Sequence, residues 1–476
     1  MTESISPASS FAPLAPSRVS RTAELAQLVQ AIGPVPRYTS YPTAPHFRAV
    51  AEDGEWKTWL EAQPEGTAFV LYVHVPFCRQ MCWYCGCHTQ ITKNDEMLER
   101  FLQHLLQEIE LVGTPLPQDA RLSGLHFGGG TPTIIGGAGL KRIVEPLFRR
   151  FKMLPDAEIA IEIDPRHCDR PLANDLAAMG FNRVSLGVQS LDPQVQKAVN
   201  RVQPFEDVAR SVEALRSAGV NAINFDLLYG LPYQTVANVV ETAERCLTLH
   251  PDRLALFGYA HVPWMKAHQA RIDAERLPGT AERLEQEAAA ADVLVAAGYR
   301  RIGLDHFAHP EDSLAQRAAN QSLHRNFQGY TTQSGEVLLG LGPSAISTFP
   351  EGYAQNIPAV AAWRQAIVEH RLPVARMRRV SNEDRLRRAV IEQLMCHLEV
   401  DLAAMAAAHG MPVEMFDADL AKLETLMRHD VVLRDGYRIT VPEDGRALVR
   451  QVCASFDAYL AGNAPAANPA PKHAAA

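Results

Sequence analysis

The feature that most constrains the fold is a repeated alternation of short apolar segments with amphipathic helical stretches. Six segments qualify as strands, and they start at Phe69, Leu122, Glu158, Arg183, Asn221 and Arg253. The stretches between them carry apolar residues at i, i+3, i+4 and i+7, as in FEDVARSVEALRSAG, which closes on Gly219. Repeated strand–helix units predict a parallel sheet with right-handed crossovers. Six units predict an α/β fold of partial (β/α)6 barrel type, because a closed eight-unit barrel needs two more.

The strands carry polar residues at their carboxyl ends, where buried parallel strands are normally apolar. The residues concerned are Tyr72 and His74, Glu162 and Asp164, Ser185 and Gln189, Asn224 and Asp226, and Tyr259. Each one alone is also explained by a structural ion pair or a helix cap, and that alternative stays open. Their shared position at one end of successive strands predicts a common polar pocket.

Four of the eight cysteines lie in the run CRQMCWYCGC, directly after the first strand. Three of them, Cys78, Cys82 and Cys85, form a C-x-x-x-C-x-x-C pattern. Clustered thiolates on a loop indicate a metal or cluster site, and unliganded thiols, structural zinc and an iron–sulfur cluster are the three interpretations. Zinc ligands usually come as paired C-x-x-C units, and no second pair follows. Ferredoxin runs supply four ligands at a different spacing.

The spacing of the three cysteines resembles the signature of the radical S-adenosylmethionine (radical SAM) family. In that family three thiolates hold a [4Fe–4S] cluster, and the open fourth iron binds S-adenosyl-L-methionine for reductive cleavage to a 5′-deoxyadenosyl radical. The resemblance implies Cys78, Cys82 and Cys85 as the cluster ligands. It leaves the role of Cys87 open.

The second strand runs into HFGGGTPT, which contains Gly128, Gly129 and Gly130. A tight turn explains three glycines as well as a ligand that contacts the backbone does. The run is neither a G-x-G-x-x-G dinucleotide motif nor a phosphate loop with its lysine. Next to the cysteine loop it resembles the radical SAM segment that binds the amino group of S-adenosylmethionine.

Further segments extend the resemblance from Pro36 to Thr332. They are PRYTSYPTAPHF, YVHVPFC, CWYCGC, HFGGGTPT, EIDPR, SLGVQS, NFDLLYGLP, FGYAH and NFQGYTT. In this order they resemble the oxygen-independent coproporphyrinogen III oxidases. The resemblance implies a partial barrel with an N-terminal arm and a smaller C-terminal helical domain. It also implies oxidative decarboxylation of two propionates of coproporphyrinogen III to vinyls, giving protoporphyrinogen IX in heme biosynthesis.

The same resemblance implies two S-adenosylmethionine molecules and the residues that bind them. One site would use Tyr72, Gly129, Glu162 and Ile346. The other would use Tyr84, Gly130, Thr131, Gln189, Arg201, Asp226 and Ala260. The residue types suit this ligand, since Glu162 and Asp226 accept hydrogen bonds from hydroxyl or amino groups and Arg201 pairs with a carboxylate. Tyr72 and His74 are the catalytic candidates, although a lone strand histidine is more often a core residue.

The chain divides by composition into five parts. Residues 1–17 and 462–476 are Ser/Pro/Ala-rich and are predicted to be disordered. Residues 18–55 form the arm, 56–355 the partial barrel with its extension, and 356–461 a helical domain. The segment YRRIGLDHF from Tyr299 predicts a further edge strand. Ser381 with Asp384 three residues on predicts a helix start with a capping box, and the DG turn in VVLRDGYRIT predicts a small hairpin. In the arm, Arg37, Tyr38 and Tyr41 either cover the active site or lie in an extended segment packed on the surface. Arg37 is the candidate contact for substrate carboxylates.

Composition limits the partners and the compartment. The formal net charge is −8, which gives no whole-chain case for nucleic-acid binding. Cys168, Cys246, Cys396 and Cys453 are scattered singly, which suits a reducing compartment. No signal peptide or membrane span is predicted. We expect a cytoplasmic monomer whose partners are the tetrapyrrole substrate and an electron donor protein.

Two other functions share the cysteine loop. Heme-binding chaperone relatives of this family have, by resemblance, an aromatic residue where this chain has Cys87, and they lack the PRYTSYPT arm and the NFQGYTT segment. A regulatory iron–sulfur sensor would not cleave S-adenosylmethionine, and the glycine run and pocket carboxylates argue against it. Heme binding without 5′-deoxyadenosine formation would indicate the chaperone.

Overall fold

One large sheet organises the chain in a computed structural model that describes residues 16–333 and 337–460. Seven neighbouring strands of this sheet are parallel, and we number them in chain order. They are β1 (Ala68–Val75), β2 (Arg121–Gly129), β3 (Lys152–Ile163), β4 (Arg183–Gln189), β5 (Ala222–Tyr229), β6 (Arg253–Gly258) and β7 (Val337–Leu341). Their order in the sheet is β7-β1-β2-β3-β4-β5-β6. The six predicted strands are therefore confirmed, and they follow one another in sequence.

The sheet is open, as the partial barrel predicts. Short antiparallel strands extend both edges: a hairpin pairs with β6, and four more strands continue beyond β7. These strands are Arg300–Ile302 and His306–Ala308 on one side, and Ile346–Phe349, Gly352–Asn356, Val374–Arg379 and Arg48–Ala49 on the other. The prediction of an edge strand after Tyr299 is confirmed. The strands after β7 were not predicted, and they carry the sheet past residue 355, so the division of the chain at 355/356 stays a prediction.

Helices connect the strands and bury their apolar faces on the sheet. Those that follow β1 to β6 are Asp95–Gly113, Gly136–Arg150, Arg170–Ala178, Pro193–Ala198, Phe205–Ser217, Val236–Leu247 and Thr280–Ala296. Asn94 caps the first of them by accepting hydrogen bonds from two backbone N–H groups. Gly219 has a positive φ of 97° just after Phe205–Ser217, which ends that helix as the sequence predicts.

A second core lies at the C-terminal end of the chain. Its helices are Asn382–His397, Leu402–Ala408, Asp417–Lys422, Glu424–Arg428 and Val449–Ser455. The helix before them, Val360–Val368, packs instead in the sheet core against Asp95–Gly113. Ser381 and Asp384 form the predicted capping box, and the predicted hairpin pairs Leu433–Asp435 with Arg438–Thr440. None of the described helices combines the length and apolar character that crossing a membrane requires.

The N-terminal arm packs against this second core. It begins with a helix, Pro16–Ile32, so most of the predicted disorder at 1–17, and all of that at 462–476, lies outside the described residues. Tyr38 and Tyr41 are 4% and 1% exposed. The Tyr38 hydroxyl donates to Asp457 Oδ2 at 3.1 Å, and the Tyr41 hydroxyl accepts from the Ala458 N–H at 3.0 Å. The two tyrosines therefore join the arm to the C-terminal helices, which leaves Arg37 as the arm residue that reaches the cavity described below.

Candidate active site

The cysteine run forms a loop at the carboxyl end of β1. Cys78 lies on a two-residue strand, Phe77–Cys78, that pairs with Gln90–Ile91 and so closes the loop at its base. Cys82 is 8% exposed, while Cys87 at the outer edge is exposed. All eight cysteines are free thiols. The loop therefore presents several thiols side by side on a fixed base.

Neighbouring segments hold the loop by its carbonyl groups. Asn200 donates to the Met81 carbonyl oxygen at 2.8 Å and Gln269 to that of Tyr84 at 3.0 Å. Lys266 donates to the Cys87 carbonyl oxygen at 3.0 Å, and His268 Nε2 lies 2.8 Å from that of Cys85. Sequence reasoning missed these supports. The only sequence signal for these supports is that residues 266–269 follow shortly after the FGYAH segment.

Hydrogen-bond donors surround the thiols. Thr89 and Thr131 each place a hydroxyl 3.3 Å from Cys78 Sγ, and Arg201 Nη1 lies 3.5 Å from Cys82 Sγ. A hydrogen bond from Cys87 lowers the pKa of Cys85 to about 6, although burial opposes this. Burial raises the pKa of Cys78, and the two threonine hydroxyls work against that rise. Donors of this kind favour thiolates, which are the form that binds iron.

The glycine run passes beneath the loop. Gly129 has φ +114°, and a Cβ there would lie 2.6 Å from the His74 ring; at Gly130 it would lie 2.6 Å from the Phe77 carbonyl oxygen. The Gly130 N–H donates to the Val75 carbonyl oxygen at 2.8 Å, and that of Gly129 donates to Glu162 Oε2 at 3.3 Å. Both N–H groups are bonded within the protein, and the close packing of strand and loop at these positions leaves room only for glycine. Ligand binding by Gly129 and Gly130 stays a prediction.

A cavity of about 870 Å³, which we call the main cavity, opens between the loop and the strand ends. The predicted residues that line it are Cys78, Cys82, Cys85, Tyr84, Gly129, Gly130, Thr131, Glu162, Gln189, Arg201, Asp226 and Ala260. All seven residues of one predicted S-adenosylmethionine site are thus brought together. Of the other site, Gly129 and Glu162 line this cavity, whereas Tyr72 and Ile346 do not.

The charged groups of the cavity are tied to one another. Arg201 is 8% exposed, lies 3.4 Å from Asp164 and donates to the Gly187 carbonyl oxygen at 2.7 Å. Burial alone would raise the pKa of Asp164, but hydrogen bonds from Arg166 and the charge of Arg201 hold it at about 2. Burial raises the pKa of Asp226, whose carboxylate accepts from Ser185 at 2.6 Å. Arg201 Nε is buried without a partner among the described residues.

Tyr72 and His74 lie behind the glycines rather than on the cavity wall. The Tyr72 hydroxyl is 3.0 Å from His74 Nδ1, and His74 Nε2 is 2.9 Å from the His88 carbonyl oxygen. That oxygen only accepts, so Nε2 carries the proton and Nδ1 accepts from Tyr72. Burial lowers the pKa of His74 to about 4, so the ring is neutral at ordinary pH. His74 thereby links β1 to the end of the cysteine loop through Nε2, while Nδ1 bonds Tyr72 on the same strand.

Ile346 lies farther from the loop. It starts the strand Ile346–Phe349 beside Gly340 of β7, and Gly340 pairs with Tyr72 of β1. A Cβ at Gly340 would lie 2.8 Å from the Ile346 carbonyl oxygen. Gly340, which has no side chain, therefore lies between Tyr72 and Ile346 in the sheet.

The donor set fits an iron–sulfur cluster with S-adenosylmethionine. Within the described residues, no three His, Cys, Asp or Glu side chains converge on a single metal ion. A cube-shaped cluster makes a different demand, because each thiolate binds its own iron atom. Three thiols on one supported loop, beside a cavity with an unpartnered arginine nitrogen in its wall, meet that demand.

Comparison with known proteins agrees with this geometry. A family model described as the Radical SAM superfamily matches residues 72–246. An oxygen-independent coproporphyrinogen III oxidase of Bradyrhizobium diazoefficiens is 48% identical over 426 residues, which cover 90% of this chain and 95% of that protein. Its counterpart in Pseudomonas aeruginosa is 40% identical over 429 residues, 89% of this chain and 93% of that protein.

A solved structure extends the comparison to the fold. The coproporphyrinogen III oxidase of Escherichia coli, described as a radical SAM enzyme, superposes with a TM-score of 0.85 at 37% identity. The match covers 89% of this chain and 98% of that one. The chain therefore belongs to the family of oxygen-independent coproporphyrinogen III oxidases, within the radical SAM superfamily.

Proposed function

We propose that this protein converts coproporphyrinogen III to protoporphyrinogen IX without oxygen, as a radical SAM enzyme of heme biosynthesis. Each of two propionates loses CO2, one hydrogen atom, which ends in 5′-deoxyadenosine, and one electron, which passes to an external electron acceptor, and so becomes a vinyl group. The observation that carries this proposal is the cavity that unites the cysteine loop with the predicted cofactor residues, in a chain related over its length to named coproporphyrinogen III oxidases.

Cys78, Cys82 and Cys85 would hold the cluster, and the cavity residues would hold S-adenosylmethionine. When bound, these groups supply one-electron chemistry that removes a hydrogen atom from an unactivated carbon. Arg201 holds the cavity end of β4 and the Cys82 thiol in fixed relation, since it contacts both. Glu162 and Asp226 present acceptors for amino or hydroxyl groups from adjacent strand ends. Neutral His74 keeps the loop on its strand.

We propose two S-adenosylmethionine molecules, one for each propionate. Support comes from Tyr72 and Ile346, which lie outside the cavity, whereas Gly129 and Glu162 of the same set line it together with the other set. The cavity volume of about 870 Å³ lies near the upper end for small-molecule sites. Equilibrium binding of S-adenosylmethionine to the cluster-loaded protein gives the stoichiometry directly.

The reaction needs electrons from outside, and we propose an electron donor protein as their source. Gly86 and Cys87 are exposed at the outer edge of the loop, and Trp264 and Met265 nearby are 60% and 72% exposed. Large exposed apolar side chains grouped beside a redox centre suit a docking surface. We further propose that the protein is a monomer and that it is cytoplasmic. The singly scattered cysteines support the second point, because they suit a reducing compartment.

An anaerobic assay tests the function. Cluster-loaded protein with S-adenosylmethionine, a reductant and coproporphyrinogen III should give protoporphyrinogen IX, with 5′-deoxyadenosine formed in step. Replacing Cys82 with Ser should abolish both the iron–sulfur spectrum and turnover, because one cluster corner loses its thiolate. The core variant Cys246→Ala is the control, and it should keep both. Turnover in Cys82→Ser would refute the ligand assignment, and heme binding without 5′-deoxyadenosine would refute the oxidase.

A further inference from the structure

A group of arginines lies where the arm meets the barrel and the C-terminal helices. Arg37 lines the main cavity, and its exposed guanidinium makes no hydrogen bond or ion pair with any described residue. It is the one arm residue on that wall. A free cation facing a cavity is available for an anionic ligand.

Arg325 stands directly behind this part of the arm, on the strand His324–Asn326. Its Nη1 donates to the carbonyl oxygens of Arg37 and Tyr38, at 3.3 and 2.6 Å. Its guanidinium lies 5.3 Å from the centre of the Tyr330 ring. Its Nε is buried and has no hydrogen-bond partner among the described residues. Arg325 thus fixes the backbone that carries Arg37 and keeps donor capacity of its own.

Arg450, on the helix Val449–Ser455, completes the group. Its Nε is also buried without a partner in the described part of the chain. Burial lowers the pKa of Arg450, and the charges of Arg37 and Arg325 lower it further, which reflects their proximity. The acidic neighbour is Asp305, whose carboxylate already accepts from His306 Nδ1 at 2.7 Å. Arg283, whose pKa burial and the charge of Arg37 both lower, is a further cation here. Asp305 is the acidic group near Arg450.

Such an arrangement is costly unless an anion completes it. Cations held close together repel, and buried guanidinium N–H groups without acceptors lose hydration without replacement. The whole chain has a net charge of −8, so a basic group of this kind is a local exception. Arginine forks match carboxylates in geometry and bind them with two parallel hydrogen bonds.

The cavities connect this group with the cysteine loop. An inner cavity of about 180 Å³ shares Glu162, Asp226 and Phe257 with the main cavity. A side cavity of about 360 Å³ is lined by Arg325, and it shares Asn326 with the inner one. A ligand larger than S-adenosylmethionine can therefore extend from the loop toward the arginines.

We propose that Arg37 and Arg325, which line the main and the side cavity, form the subsite for those propionate carboxylates of the substrate that are not reacting at the cysteine loop. The inference rests on the proposed function, because it takes the tetracarboxylate macrocycle as the ligand. It assigns the arm a direct part in substrate binding, through Arg37, and an indirect one, through the contact with Arg325.

Steady-state kinetics of the cluster-loaded enzyme test this subsite. Arg37→Gln should raise KM for coproporphyrinogen III about tenfold, the loss of one charge-assisted hydrogen bond, and leave KM for S-adenosylmethionine unchanged. Arg37→Lys keeps the charge and should recover most of the affinity. Arg364→Gln, which removes an exposed arginine from the helix Val360–Val368, is the matched control and should behave as the wild type.

Binding of stable porphyrins separates recognition from folding and from turnover. Wild-type protein should prefer coproporphyrin III, with four carboxylates, over mesoporphyrin IX, with two, and this preference should fall in Arg37→Gln and fall less in Arg37→Lys. Unchanged KM and preference in all variants, or equal loss for both porphyrins, would overturn the subsite. A wild type that prefers coproporphyrin III yet forms no product would refute the proposed function and leave the subsite standing.

Discussion

Two groups of charged side chains lie at opposite ends of the same strands, and they differ in the groups that their arginines contact. At the start of the strands, Arg183 Nε lies 2.8 Å from Glu158 and Arg253 Nε lies 2.7 Å from Asp312. Arg183 also reaches Asp312 at 3.2 Å, so two cations and two anions neutralise one another. At the carboxyl ends, Arg201 shares Asp164 with Arg166 and extends to a thiol and a strand-end carbonyl group.

Burial alone does not tell the two groups apart. All of these arginines are largely buried, and each group leaves one guanidinium nitrogen without a partner in the described residues, Arg183 Nη1 in the first and Arg201 Nε in the second. The first group contacts no thiol, and although Glu158, Arg183 and Arg253 line the inner cavity, each of the two cations is paired with a carboxylate there. The second contains a cation that contacts a proposed cluster ligand and lines the main cavity. We infer that the first group stabilises the fold and that the second serves the reaction.

The largest effect that this comparison predicts is on turnover. Arg201→Gln should lower kcat/KM about a thousandfold, roughly 4 kcal/mol, because it removes a buried charge that contacts both Cys82 and the cavity. Stability should change less, since Arg166 still pairs with Asp164 at 2.6 Å. Initial rates and a thermal melt of the same cluster-loaded samples measure the two effects.

The exposed variant Arg170→Gln is the control for that measurement. Arg170 pairs with Glu213 at the surface, where ion pairs contribute little, so both rates and melting should stay as in the wild type. If Arg201→Gln instead melted early and kept its rate per folded molecule, Arg201 would belong with the stabilising group and the comparison would fail.

The second effect is on stability and concerns the start of the strands. Arg253→Met should lower the free energy of unfolding by about 3 kcal/mol, because Asp312 loses its closer partner while Arg183 remains. Turnover per folded molecule should not change. Urea unfolding gives the first quantity and rates corrected for folded fraction give the second; a selective loss of turnover at full stability would contradict the assignment.

The sequence predicts the fold well and the site in part. The six parallel strands, the edge strand after Tyr299, the capping box at Ser381 and the hairpin near Gly436 follow from periodicity and turn residues, and the structure contains them. The strands after β7 escaped prediction because they are short and lie between irregular segments, where no period is established. Pairing with β7 decides their structure, and pairing partners are not visible along the chain.

The features of the site that the sequence does not predict depend on contacts between distant segments. The strand-end pattern located the pocket with Glu162, but it did not show that Glu158, four residues earlier on the same strand, belongs to the group at the start of the strands. Only the neighbours Arg183 and His126 separate their surroundings. Residues 266–269 support the loop from a segment far away in sequence, and the arginines beside the arm also come from distant segments. No local sequence pattern indicates either feature.

A third kind of buried acid sharpens the comparison, because no cation of the described residues pairs with it. Glu108 on the helix Asp95–Gly113 is 0% exposed, and its carboxyl oxygens accept from the Gly342 N–H at 2.7 Å and from Asn356 Nδ2 at 2.6 Å. Burial raises the pKa of Glu108 from an ordinary 4.5 to about 8. The contrast with Asp164, which arginines hold at about 2, shows what a counter-ion changes.

This difference predicts the smallest effect, a dependence of stability on pH. Between pH 4.5 and about 8 the unfolded chain has lost the Glu108 proton and the folded chain has kept it, so stability falls as pH rises. The slope is about 1.4 kcal/mol per pH unit, which gives about 2 kcal/mol between pH 6 and 7.5. Glu108→Gln carries no such proton, so the wild type should lose that amount relative to the variant, measured by urea unfolding at the two pH values.

The exposed Glu110→Gln on the same helix is the matched control and should keep the pH dependence of the wild type. If the free energies of unfolding of the wild type and Glu108→Gln changed equally with pH, Glu108 would be ionised in the folded protein throughout this range. A cation or water would then have to compensate it, and the distinction between paired and unpaired buried charges would lose its third case. If the predicted slope is found, the turn at Gly342, which packs against the His74 carbonyl oxygen, depends on a protonated acid rather than on an ion pair.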